Sequence, residues 1–91
     1  TVIGNGTTPT IAINNNGVQI IFWRTSSSNV RRVIIDSAGN ITTAASDVIV
    51  GNVADKGLGC FWNDGIPFLV YNDTTNGLTV VKSLDSGITF S

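Results

Sequence analysis

The chain has 91 residues, a net charge of −1, 12% charged residues, no His and a single Cys. This length bounds it to one small domain, and the charge balance gives no electrostatic footprint for nucleic acid or an anionic membrane. No stretch is long enough to span a bilayer, and Cys60, alone beside Phe61 and Trp62, reads as a buried small hydrophobe.

Val, Ile, Thr, Asn and Gly dominate, which favours strands joined by tight turns. Pro9 to Ile13 reads as a short strand, followed by a turn at Asn14-Asn15-Asn16-Gly17 with residues suited to positive φ. Val18 to Arg24 is an apolar run suited to a central strand covered on both faces. Thr25 to Asn29 reads as a loop, Val30 to Asp36 as a third strand and Ser37 to Asn40 as a turn. Ile41 to Val50 contains a fourth strand, with a kink expected at Ala44-Ala45-Ser46. The order then repeats: Leu58 to Trp62, the turn Asn63-Asp64-Gly65, Ile66 to Asn72, the loop Asp73 to Gly77, Leu78 to Ser83, and Ile88 to Phe90. Pro67 falls near a strand start, where a missing N–H is tolerated. Strand signals about every ten residues predict an all-β chain without a helix.

An internal repeat underlies this order. Asn15-Asn16-Gly17 aligns with Asn63-Asp64-Gly65, Val18 to Trp23 with Ile66 to Tyr71, and Gly39 with Gly87, each about 48 positions apart. Val2-Ile3-Gly4-Asn5 matches Ile49-Val50-Gly51-Asn52. The chain therefore reads as opening with the tail of one unit and closing inside the last strand of another.

Ser83-Leu84-Asp85-Ser86-Gly87-Ile88-Thr89-Phe90 spells S-x-D-x-G-x-T-F. It resembles the Asp-box, or BNR repeat, of sialidase-like β-propellers at every fixed position. Asp36 to Thr42 is a degenerate copy that keeps Gly39 and Thr42. In that family the motif joins the last two strands of a blade, on the periphery and away from the axial site. The resemblance therefore implies a structural role for Ser83, Asp85, Gly87, Thr89 and Phe90. Short polar side chains capping backbone groups in a turn give the same reading.

The expected architecture is two four-stranded β-propeller blades: a blade tail over 1–8, a first blade over 9–52, and a second blade over 53–91 completed by a neighbour's N-terminal strand. Two blades cannot close a propeller, which needs about four to eight, so a cyclic homo-oligomer of two to four chains is expected. Such chains are similar to the small bacterial and fungal fucose-binding lectins in length, repeat number and offset terminus. Their Trp-rich, Glu-containing repeat is absent from this sequence, so fucose specificity is not carried over.

Catalysis is not expected. The sequence has no Glu, only Arg24, Arg31 and Arg32 as arginines, and Arg31 and Arg32 point to opposite faces of a strand. Without His the ordinary triad and most zinc sites are excluded. Asp73 to Gly77 hints at a calcium loop but lacks the distal acidic ligand, so no metal and no cofactor are expected. The remaining candidates are aromatic rings with polar neighbours: Trp23 with Arg24, Trp62 with Asn63 and Asp64, and Tyr71 with Asn72 and Asp73. Sugar sites use an aromatic face against the pyranose with amide, carboxylate and Arg groups on its hydroxyls. The competing reading makes these rings core. Carbohydrate binding is the expected function. The alternative is a fragment, or a structural or protein-interaction unit, of a larger sialidase-like propeller. The chain lacks Met, including at position 1, which suggests a start upstream; a removed signal peptide and an extracellular location are one explanation.

Overall fold

The structure, a computed structural model, describes residues 2–91. Seven strands make two antiparallel sheets. The first has the order β1 (Thr7–Ile13), β2 (Gln19–Arg24), β3 (Val30–Ile35), β4 (Ile41–Ile49). The second has the order β5 (Val53–Asn63), β6 (Ile66–Asp73), β7 (Gly77–Lys82). The all-β class stands, with no helix among the described residues.

The second sheet has three strands, and the part of a fourth that the sequence predicts over Ile88 to Phe90 does not form. The reason lies in the hydrogen bonds of the last residues. The carbonyls of Gly87 and Ile88 accept from Arg32, and the Thr89 N–H donates to Asp85. Those groups are thus engaged elsewhere, and only Ser91 exchanges a pair of backbone bonds with Lys82, at 2.9 and 3.0 Å. The kink expected in β4 is present as irregular pairing: Arg32 opposes Ser46 and Ile34 opposes Thr43, so β4 carries an extra residue between them. β5 begins at Val53, before the expected Leu58, and its register against β6 slips between those two residues.

Period-two alternation decides what lies between the sheets. Ile20, Phe22, Val30 and Ile34 of the first sheet pack against Leu69 and Tyr71 of the second, with Val53 and Phe90 completing the cluster. Phe22 and Phe90 meet edge to face, with ring centroids 5.3 Å apart. At the near edge of the core, the Thr10 hydroxyl and the Cys60 thiol approach to 3.5 Å between β1 and β5. The crossing from β4 to β5 is fixed by the Val53 N–H donating to the Ser28 carbonyl and by Arg24 Nε donating to the Val53 carbonyl.

The two units differ at their first turn. Asn14 to Val18 is a five-residue closure with Gly17 at φ 79°, in which Gly17 N–H donates to the Asn14 carbonyl. Thr25 to Asn29 and Asp36 to Asn40 repeat the pattern, with Ser28 and Gly39 at positive φ. In all three turns the first residue's side-chain oxygen accepts from backbone N–H groups within the turn. The β5–β6 turn has only two residues, Asp64 and Gly65, both at positive φ. Ile11 therefore opposes Ile21, while Cys60 opposes Leu69. Since Ile21 and Leu69 are repeat partners, Ile11 corresponds to Cys60 and Ile13 to Trp62, one residue off the sequence alignment.

Candidate functional site

The turn after β7 is built around two side chains. Ser83 is buried, and its hydroxyl donates to Asp85 Oδ1 at 2.6 Å while accepting from the N–H groups of Gly87 and Asp85. Asp85 accepts from the Thr89 N–H at 2.8 Å and from the Thr89 hydroxyl at 2.5 Å. These donors, Ser83 first and Thr89 next, hold the Asp85 carboxyl down at about 2. Gly87 sits at φ 94° against Ile34 and Ile20, where a Cβ would collide. Phe90 is buried against Phe22. The side-chain oxygens of Ser83, Asp85 and Thr89 bond one another and the turn's own N–H groups, and the Gly87 and Ile88 carbonyls are taken by Arg32, so the turn reads as scaffold.

Arg32 is buried, and its guanidinium is spent on carbonyls: Gly87 at 2.6 Å, Ala44 at 2.8 Å and Ile88 at 2.9 Å. Burial pushes its pKa down and the nearby Asp85 pushes it up. Arg31 points to the other face and pairs with Asp47 at 2.9 Å. That bond holds the Asp47 carboxyl below its usual range, against a counteracting desolvation and with help from Asn29.

The aromatic and amide residues singled out from the sequence do not converge on one place. Trp23 is buried, with its indole under Gly4 and Gly6, and its Nε1 has no partner among the described residues. Tyr71 belongs to the core between the sheets, and burial, then Asp73, raises its hydroxyl pKa. Tyr71 and Asn72 border a cleft of about 550 Å³ with Leu58 and Leu78. Arg24 borders another of about 340 Å³ with Asn5 and Asp55. Asn63 is exposed at the end of β5.

Trp62 and Asp64 do come together. They line a cleft of about 450 Å³ with Asn14, Asn15, Asn16 and Ile13, between the β1–β2 and β5–β6 turns. Both turns are held by their own backbone chemistry, so the cleft wall is preformed. Asn14 Oδ1 accepts from the Asn16 and Val18 N–H groups at 2.9 Å each, whereas the side chains of Asn15 and Asn16 stand exposed. The three asparagines read as turn formers in the sequence. Only the packing of β1 beside β5 shows that they face an indole. Asp73, the first residue of the calcium-like stretch, uses Oδ1 to accept from the Thr75 and Asn76 N–H groups at 2.8 and 2.9 Å.

No family model matches this chain, and no curated protein matches it.

Proposed function

We propose that this chain is a non-catalytic carbohydrate-binding module made of two β-propeller-type blades, acting as part of a ring of such units. The observation that carries the reading is the cleft in which the half-buried Trp62 lies among the amides of Asn14 to Asn16 and the carboxylate of Asp64. An indole supplies an apolar surface to one face of a pyranose, and short amides and a carboxylate bond its hydroxyls. A cleft this open and polar suits weak single-site binding, which becomes useful when copies are joined and several sites engage together.

The acid chemistry fits binding better than turnover. Glycoside hydrolysis requires a carboxyl group that is protonated near neutral pH opposite a second carboxylate. Asp85 is held ionised far below neutrality by Ser83 and Thr89, and Asp47 is engaged by Arg31. The sequence has no Glu, and Asp64 has no second carboxylate opposite it among the residues that line the cleft.

The test is a broad glycan panel followed by titration of any hit. Binding that drops about tenfold in Asn16→Ala, in line with one lost hydrogen bond, and further in Trp62→Ala is the expected result. Asn16 is exposed, so its replacement leaves the fold intact. A panel without any binder, or a binder indifferent to both changes, removes the reading.

A further inference from the structure

The cleft between the β1–β2 and β5–β6 turns carries one sign of charge. The chain has six acidic side chains, all Asp. Asp36, Asp73 and Asp85 accept from backbone N–H groups, and Asp47 pairs with Arg31. Asp55 borders the separate cleft that Arg24 lines. Asp64 accepts no hydrogen bond among the described residues, and it stands in the wall of the Trp62 cleft.

No cationic side chain balances it there. Arg31 is paired with Asp47, and Arg32 is buried among carbonyls. Arg24 is held by the Val53 carbonyl and the Ser28 hydroxyl beside another cleft, and Lys56 lines a third. Lys82 opposes Phe68, whereas Trp62 opposes Pro67, so Lys82 lies on the other face of the sheet. The polar side chains that share the cleft with Asp64 are amides and the indole.

The turn itself does not require the charge. Asp64 and Gly65 have φ of 53° and 77°, and Asn-Gly suits such a two-residue turn as well as Asp-Gly. The first unit has Asn16-Gly17 at the aligned place. The carboxylate is therefore a property of the cleft rather than of the hairpin.

We propose that this cleft takes a sugar with a free amino group, held as its ammonium ion by Asp64, and turns away sugars that carry a carboxylate. The inference rests on the carbohydrate reading and names the class of sugar. With the pyranose against Trp62, the ammonium donates a charge-assisted bond to Asp64, and the indole adds its own attraction for a cation. Acetylating the amine removes both contributions. An acidic sugar sets a second negative charge beside Asp64, and no Arg lines the cleft to clamp its carboxylate. Because Asp64 is exposed, the preference is modest and is screened by salt.

The experiment is an NMR titration with oligomers of glucosamine and galactosamine, their N-acetylated forms and the matching uronates. It is run in mildly acidic buffer, where the sugar amines are protonated. At low salt an amino oligomer is expected to bind about fivefold more tightly than its N-acetylated form, the upper range for an exposed ion pair. The uronate is expected to bind least, and added salt should narrow the differences. Asp64→Asn is expected to weaken the amino oligomer to the level of the N-acetylated one and to leave the latter unchanged. Trp62→Ala is expected to weaken both. If N-acetylated sugar binds through Trp62 and its amino counterpart binds no more tightly, this inference falls and the carbohydrate reading stands. An amino preference that survives in Asp64→Asn has the same consequence, because it comes from charge elsewhere on the chain. If no sugar binds, both readings fall together.

Discussion

Arg32 Nε donates to the carbonyl of Gly87 at 2.6 Å, so the third strand of the first sheet grips the turn that ends the second. The same guanidinium satisfies Ala44, in the irregular part of β4, and Ile88. One side chain thereby serves three carbonyls, one in β4 and two in the turn after β7.

Replacing Arg32 with Met keeps much of its volume and removes all three donors. Leaving a buried acceptor unpaired costs about 1–3 kcal/mol, so Arg32→Met is expected to lose roughly 3 kcal/mol in urea unfolding. Arg32→Lys should recover only part of this, because an ammonium is a point donor and cannot span three sites. A loss below about 0.5 kcal/mol, the range of ordinary surface changes, would show that the grip is incidental.

Asp85 titrates at about 2 in the folded chain, below its ordinary value of 3.8, chiefly through Ser83 and then Thr89. A depressed folded pKa contributes stability that is full above the unfolded pKa and is lost as pH falls through the folded one. The melting-temperature gap between wild type and Asp85→Asn should therefore be constant above about pH 4 and close on going to about pH 2. Melting curves across that interval check this. A gap that persists unchanged to its acid end would mean that the carboxylate charge is not what holds the turn.

The Cys60 thiol faces Thr10 across the junction of the sheets, and burial raises its pKa despite that hydrogen bond. Less thiolate at neutral pH means slower attack. Labelling by iodoacetamide should run well below the rate of a free cysteine in the folded chain and rise to it in denaturant. Equal rates in both conditions would mean that β1 and β5 separate readily.

Much of the fold was legible because strands advertise themselves locally. The alternation around Arg31 and Arg32 placed them on opposite faces, and the structure gives them opposite fates: one pairs with Asp47 and the other is buried among carbonyls. The beginning of β5 was not legible, since Asp55, Lys56 and Gly57 are polar or flexible and enter the strand through an irregularity with Gly57 at φ 97°. A strand at Ile88 to Phe90 was expected from the repeated strand order and the Asp-box resemblance, yet Arg32 and Asp85 claim its hydrogen-bonding groups. The site was legible in halves. Trp62 and Asp64 declared themselves by residue type, while Asn14 to Asn16 gained their place from a neighbour about 48 residues away. Trp23 and Tyr71 matched as repeat partners, but side-chain type does not tell a buried ring from a platform.

The unequal hairpin turns set a rule for anyone wishing to idealise this molecule. An averaged unit written at constant spacing would superpose Ala12 on Cys60, whose structural counterpart is Ile11. Because a strand's side chains alternate, that single step reverses which side of β1 meets the core. A symmetric version must first trim one residue from the Asn14–Val18 closure, or lengthen the Asp64–Gly65 turn by one, before any side chain is averaged.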